Sequence, residues 1–232
     1  MNQISVIIPA YEEGHGIELA LDSVRRTLPS AEIIVSDGSQ DSMTREACEK
    51  KGVQYLVPSR HHRSSAMNAG AKHAKGNLLL FLHADTLLPK SVSKLETLDL
   101  EKFGYGGFYK SFSPNGLMLQ LHAFVVNCWK LELQKEFLGD NTIFVRKDIF
   151  EAVNGFGDLA LFEDLDLSRR LRTHCQSNGL RPAIFRTPIV TSSRRFKKLG
   201  VISTIVFMQR CRAWYASGIP TAEIARRYAQ LQ

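Results

Sequence analysis

Residues Leu78-Leu79-Leu80-Phe81-Leu82 form an unbroken run of large apolar side chains that stops at His83-Ala84-Asp85-Thr86. A half-buried strand alternates apolar and polar residues, and an amphipathic helix spaces its apolar residues three or four apart; this run does neither. It predicts a strand covered on both faces, as in a parallel sheet sandwiched between helices. The carboxyl ends of such strands are where open α/β sheets gather their ligands. His83 and Asp85 at that end are therefore either ligand-binding groups or the start of a turn.

The neighbouring segments follow the same plan. Residues 4–8 (I-S-V-I-I) read as a buried strand stopped by Pro9, and residues 17–27 as a helix. Residues 32–35 are a second strand. A turn and N-cap cluster over residues 36–42 follows, in which Ser39 or Asp41 caps a helix over residues 43–51. Residues 53–57 are a third strand, and residues 64–74 an alanine-rich helix stopped by Gly76. Strands alternating with helices predict βαβ units and a mainly parallel sheet. Beyond Asp85 the rhythm loosens. The pattern predicts helices over 91–98, 117–133, 147–153 and 164–172, and strands over 105–112, 142–145 and 184–191. A basic, partly apolar helical tail runs from Phe196 to Gln232. With 232 residues and 44% hydrophobic content, the simplest organisation is one large domain, residues 1–195, with a helical tail, residues 196–232, packed on it.

The net charge of +7 favours an acidic partner: nucleotide phosphates, nucleic acid or an anionic membrane surface. No helix-turn-helix or zinc-finger signature accompanies it, so a nucleic-acid partner is not expected. Cys48, Cys128, Cys175 and Cys211 form no C-x-x-C pair. That disfavours a zinc site or a disulfide framework and fits a reducing cytosol. The first residues lack the basic stretch of a signal peptide, and no apolar run reaches the roughly 18 residues of a membrane span. A cytoplasmic location is the resulting expectation.

Three loops close the expected parallel strands: Pro9-Ala10-Tyr11-Glu12-Glu13, Ser36-Asp37-Gly38-Ser39 and His83-Ala84-Asp85. Lying along one sheet edge, they can converge on a nucleotide-sized ligand. Neither G-x-G-x-x-G nor G-x-x-x-x-G-K-[ST] is present, so phosphates would need a metal ion or basic side chains instead of a glycine cradle. Arg60-His61-His62-Arg63 is either a solvated basic face or a source of diphosphate ligands through Arg60 or Arg63. Glu163-Asp164, with Asp166, reads by itself as an acidic first helical turn.

Taken in order, six segments resemble the motifs of the family-2 glycosyltransferases, which have the GT-A fold. They are Ile4 through Glu13, Ile33 through Ser42, Met67-Asn68-Ala69-Gly70-Ala71, Gly76 through Asp85, Gly139 through Arg146, and Phe162 through Leu171. The resemblance implies a three-layer αβα sandwich with a mainly parallel mixed sheet and a C-terminal helical extension. It implies an inverting glycosyltransferase that moves a sugar from a nucleoside diphosphate sugar, UDP being the usual carrier, to an acceptor hydroxyl with Mn²⁺ or Mg²⁺. Asp37 would then accept a hydrogen bond from the nucleobase, and Pro9, Ala10, Tyr11 and Glu13 would line base and ribose. Arg60, Arg63, Asn68, His83 and Ala84 would complete the nucleotide-sugar site. Asp85 would match the last carboxylate of the D-x-D motif and hold the metal. Asp164 would be the general base with Glu163 beside it, and Gly139 and Asp140 would lie on the acceptor side. His83 departs from the first D-x-D carboxylate. It would bind metal or ribose, or be structural, and as a nitrogen ligand it suits Mn²⁺ better than Mg²⁺. Ser36 replaces the usual acid before Asp37. The H-A-D-T variant and the basic tail are most similar to the radical-SAM/selenodomain-associated bacterial subgroup.

The tail places Arg194-Arg195, Lys197-Lys198, Arg210, Arg212 and Arg226-Arg227 among Phe196, Ile202, Trp214 and Tyr215. Such a pattern either lies on an anionic membrane or packs its apolar face on the domain or on a second copy in a homodimer. Gln209-Arg210-Cys211-Arg212-Ala213-Trp214 is one residue longer than the Gln-x-x-Arg-Trp motif of processive relatives, so polymerisation is not expected. Two rival readings stand beside the transferase. A nucleotidyltransferase would ordinarily carry a glycine-rich basic loop where residues 9–13 are acidic. A catalytically degenerate nucleotide-sugar-binding protein is compatible with His83.

Overall fold

The apolar run at residues 78–82 lies in the middle of an eight-stranded sheet. The computed structural model describes residues 1–13, 16–39, 42–60 and 62–229; Asp41, His61 and Gln232, named above, lie outside them. The first part alternates β1 (Ile4–Ala10), α1 (Gly16–Thr27), β2 (Glu32–Asp37), α2 (Ser42–Lys51), β3 (Gln54–Leu56), α3 (Arg63–His73) and β4 (Leu78–Phe81). Then come β5 (Thr86–Leu87), a 3₁₀ segment (Lys90–Thr97), β6 (Phe103–Ser113) and α4 (Leu117–Val126), which continues as a π-helical segment (Asn127–Leu133). A 3₁₀ turn (Gly139–Asn141), β7 (Phe144–Arg146), α5 (Lys147–Ala152), α6 (Glu163–Ser177) and β8 (Arg181–Ser192) precede the tail helices α7 (Arg194–Leu199), α8 (Val201–Ala216) and α9 (Thr221–Ala229).

The strand order is β3-β2-β1-β4-β7-β6-β8-β5. β3, β2, β1 and β4 are mutually parallel. β7 runs antiparallel to both β4 and β6, β6 runs parallel to β8, and β5 pairs antiparallel with β8. The expected mainly parallel mixed sheet is what forms. Each central strand serves two cores by simple alternation. Val6, Ile8, Leu78, Leu80 and Leu82 face Ile17, Leu21 and Val24 of α1, Cys48 of α2, and Val92 and Leu95 of the 3₁₀ segment. Ile7, Leu79 and Phe81 face Met67 and Ala71 of α3, Phe150 of α5, and Leu167 and Leu171 of α6. No outward position remains in β4, so none is polar. Burying each such side chain contributes about 1.5–3 kcal/mol.

The structure corrects several expected boundaries. β1 is not stopped by Pro9 but runs through it to Ala10. Leu82 N donates to Ile7 O at 3.0 Å, so Ile7 faces β4. Pro9, two residues on, faces the same side, beyond the last β1–β4 pair at Ile7 and Phe81. Its missing N–H therefore costs no ladder bond. The apolar helix expected over 117–133 changes to π geometry at Asn127. There the Asn127 side chain accepts from Lys110 N and donates to Lys110 O, both at 3.1 Å. This clamp sits where the β6–β8 register shifts between Phe108 and Lys110, and the amide takes the place of ladder partners at the irregularity. β5, only two residues long, was too short to show a period. The tail helices begin at Arg194, so the expected 195/196 boundary falls inside α7.

The parallel β6–β8 pair depends on a close backbone approach at Gly106. A Cβ there would stand 1.9 Å from the Ala183 carbonyl oxygen and 2.5 Å from the Phe144 ring. Gly106→Ala is expected to cost at least about 3 kcal/mol, read as a fall in the urea midpoint with little change in slope; a midpoint within error of the parent would contradict the packing described.

Candidate functional site

Because β2, β1 and β4 are adjacent and parallel, their carboxyl ends share one edge of the sheet. The three loops that leave this edge open on a cavity of about 710 Å³. Pro9, Ala10, Tyr11 and Glu13 line it from the first loop, Gly38 from the second, and His83, Ala84 and Asp85 from the third. Thr86 N donates to His83 O at 3.0 Å, which closes a tight turn with Ala84 and Asp85 at its tip. The β5–β8 pairing, Thr86 with Thr191, fixes the far side of that turn. Asp85 is thus a turn residue that also lines the cavity.

Across the cavity stands the start of α6. Phe162 caps this helix with φ of 67°, a left-handed conformation that is strained for an aromatic residue. Its ring stacks on Tyr215 of α8 with centroids 4.9 Å apart, so the tail supports this turn. Glu163 follows, 2% exposed. Arg63, the first residue of α3, donates from Nε to Glu163 Oε1 at 2.5 Å. Burial pushes the Glu163 carboxyl up; the Arg63 charge opposes this, and Asp164 adds to it. Asp164 is fixed by backbone donors: Gly139 N to Oδ2 at 2.6 Å and Leu165 N to Oδ1 at 2.7 Å. Gly139 is closely approached: a Cβ there would lie 2.6 Å from His83 Nε2 and 3.3 Å from Asp164 Oδ2, so the His83 ring would have to shift. His83, Gly139 and Asp164 therefore meet, although they come from three separate segments.

Asp140 is held by a residue that sequence reasoning passed over. Lys110 Nζ, almost wholly buried, donates to Asp140 Oδ2 at 2.5 Å. Burial raises the Asp140 carboxyl, but Lys110 outweighs it, with His83 and Arg212 assisting, and the group ends below the usual carboxylate range. Glu13 pairs with Arg194 of α7 at 3.0 Å, which ties the first loop to the tail. Apolar parts of the wall come from Phe112 of β6, Val126 of α4, Phe196 of α7, and Ile205 and Met208 of α8. His122, Arg212 and Tyr228 also line the cavity. None of these was singled out as a site residue. Lys110 alone carried a signal, as the one cation inside an otherwise aromatic and small strand pattern.

Four expected residues are not cavity-lining. Arg60 is exposed and pairs with Asp158. Asn68 straps Phe156, donating to its carbonyl at 2.8 Å and accepting from its N–H at 2.9 Å. Asp37 ends β2 fully buried, accepting from Ser39 N at 2.9 Å and from Tyr55 Oη at 3.2 Å. Gly139 sits behind His83 and Asp164.

Among the described residues no three His, Cys, Asp or Glu side chains are grouped to hold a metal ion. A closed protein cage is therefore not what this site would offer. Small divalent cations are commonly held by one or two carboxylates together with substrate phosphates. Asp85 at the turn tip fits that mode, His83 lies beside it, and Asp140 Oδ1 is buried without a hydrogen-bond partner.

A family profile, glycosyl transferase family 2, matches residues 5–147. The chain is 28% identical over 171 residues to glycosyltransferase AglE of Haloferax volcanii, covering 66% of this chain and 55% of that protein. It is 31% identical over 100 residues to the undecaprenyl-phosphate 4-deoxy-4-formamido-L-arabinose transferase of Edwardsiella ictaluri, covering 37% of this chain and 30% of that protein. The chain thus spans about half the length of the first relative and under a third of the second. In three dimensions it is similar to the mannosyltransferase PcManGT from Pyrobaculum calidifontis, solved with GDP-Man and Mn²⁺. The TM-score is 0.67 at 17% identity, covering 90% of this chain and 61% of that one. Glucosyl-3-phosphoglycerate synthase from Mycobacterium tuberculosis, solved with Mn²⁺, UDP-glucose and phosphoglyceric acid, gives 0.64 at 19% identity, covering 94% and 81%. At these identities the likeness shows a shared GT-A-type fold.

Among the cavity groups, His122 has a strongly shifted pKa. Burial, followed by the Lys110 charge, pushes the His122 imidazole down to about 4 from 6.5, with Asp140 opposing and Arg212 assisting. His122 stacks on Phe112 and meets the edge of Phe196. Its cation is penalised in the fold, so the associated stability is present above pH 6.5 and is lost as pH falls through about 4. The full linkage is at most about 3 kcal/mol, less after solvent screening. His122→Gln is expected to flatten the urea midpoint against pH across this window; an unchanged acid slope would contradict the assignment.

Proposed function

Because the chain belongs to glycosyl transferase family 2, we propose that its cavity transfers a sugar from a nucleoside diphosphate sugar to an acceptor hydroxyl. The observation that carries this reading is the placement of the Asp85 turn and the Glu163-Asp164 helix start in one cavity. The loop at residues 9–13 and Gly38 would hold the nucleoside. Asp37 would take a nucleobase N–H in exchange for the Ser39 hydroxyl, which now donates to it at 2.5 Å. Asp85, with His83 beside it, would hold a Mn²⁺ or Mg²⁺ ion on the diphosphate, which supplies neutralisation of the charge gathering on the leaving group. Arg63 lines the same space, 41% exposed, and would offer its outer N–H groups to a diphosphate oxygen.

Asp164 would act as general base. Its oxygens are aimed by Gly139 N and Leu165 N, so the carboxylate needs no reorganisation to meet an acceptor hydroxyl. The acceptor oxygen would bond to the anomeric carbon as the carbon–phosphate oxygen bond breaks. The electron pair would leave with the diphosphate, the proton would pass to Asp164, and the configuration would invert. Glu163 would hold Arg63 in place from a buried position. Asp140, fixed by Lys110, would border the acceptor. A UDP-linked donor, the inverting course and membership of the radical-SAM-associated bacterial subgroup belong to the same proposal and rest on the sequence motifs.

Asp85→Ala and Asp164→Asn are each expected to lower transfer by about 10²–10⁴-fold with the circular dichroism spectrum of the folded protein retained. In a thermal-shift panel of UDP-, GDP- and dTDP-sugars, one donor should raise the melting temperature in a Mn²⁺- or Mg²⁺-dependent way. Asp164→Asn should keep that shift and Asp85→Ala should lose its metal-dependent part. Transfer surviving at parental rate in both variants would overturn the mechanism, and no shift with any donor would overturn the ligand class.

A further inference from the structure

The outward face of α4 and its π-helical continuation is mostly apolar, with Gln120 as an exposed polar residue within it. Leu117, Leu121, Phe124 and Leu133 are each more than 60% exposed, and Val125 and Trp129 more than half. They recur at helical spacing and form one stripe on the order of 25 Å long. Six side chains of this size expose on the order of 700 Å², more than the largest apolar patch of a typical soluble monomer. Ile202 and Val206 of α8 are likewise over half exposed. They lie on the helix whose Val201 and Ile205 pack with Leu119 and Ala123 on the inner side of α4.

We propose that this face seats the protein on the surface of an anionic lipid bilayer, with α4 lying in the plane of the interface. Charge selects this occupant over a second copy of the chain. The whole chain carries +7. Two copies joined through α4 would bring like charges together, whereas anionic headgroups attract them. Trp129 and Phe124 are of the type that settles at a lipid–water boundary. No helix among the described residues is long and apolar enough to cross a membrane, so the contact is peripheral. α4 and α8 also give Val126, Ile205 and Met208 to the cavity wall. Seating this face therefore brings the apolar side of the cavity to the level of the headgroups. The surface holds whether or not the cavity transfers a sugar, and its test needs no activity.

Flotation with vesicles of phosphatidylcholine alone, or with added phosphatidylglycerol, tests the proposal. The parent protein is expected to float with the anionic vesicles. The double variant Leu121→Ser/Phe124→Ser, checked for an unchanged circular dichroism spectrum and melting temperature, is expected to lose binding by about tenfold or more. The chain holds two tryptophans. In a Trp214→Phe background, therefore, Trp129 alone reports the contact, and its emission should shift to the blue with anionic vesicles only. The proposal is overturned if the parent stays in the soluble fraction with both vesicle types, or if the double variant floats as well as the parent. It is equally overturned if light scattering shows a parental dimer that the double variant converts to monomer.

Discussion

Five carboxylates, those of Glu13, Asp85, Asp140, Glu163 and Asp164, face a single cavity. Charges of one sign in a space poor in water repel strongly, so each needs a counter-charge or an aligned dipole. For four of the five the partners come from four different elements. Arg194 of α7 reaches Glu13, Lys110 of β6 reaches Asp140, Arg63 of α3 reaches Glu163, and the Gly139 N–H reaches Asp164. The Lys110–Asp140 pair is the most enclosed of these, with Lys110 almost wholly buried, and removing one partner would leave a poorly solvated charge. Arg194 and Arg63 are substantially exposed, so water screens their pairs. The cavity is thereby locked to a particular arrangement of sheet, helices and tail.

How much of this was legible in the sequence follows from the range of each interaction. The parallel half of the sheet announced itself because burial on two faces leaves an unbroken apolar run, as in β4. The three strand-end loops followed, since adjacent parallel strands must end on one edge. Pro9 misled because its effect depends on which side its nitrogen faces, and that is set by where the neighbouring strand stops. The cations of the cavity were the least legible. Lys110 and Asp140 are 30 residues apart, Arg63 and Glu163 are 100, and Glu13 and Arg194 are 181. No local period reports such pairs. Similarity of motifs could point to Asp85 and Asp164. It could not foresee that Arg60 would turn to Asp158 or that Asn68 would serve as a strap for Phe156.

The tail changes meaning once it is placed. As sequence it reads as an appendage, basic and partly apolar. In the fold, Phe196 packs on Phe112 and Tyr215 carries the strained Phe162 turn, while Ile205, Met208 and Arg212 complete the cavity wall. α4 and the tail therefore add both apolar side chains, such as Val126, Ile205 and Met208, and cationic or titratable ones, such as Arg194, Arg212 and His122, to the cavity.

The support beneath Asp85 has a thermodynamic corollary. β4 is gripped on both faces, the His83–Thr86 turn is closed by its own hydrogen bond, and β5 is stitched to β8. Fixing one residue of a flexible chain costs roughly 1–2 kcal/mol of conformational entropy. At this turn the loss is taken when the protein folds, so an arriving ligand does not have to supply it. The turn is preorganised, so a ligand that met Asp85 would not have to order a loop.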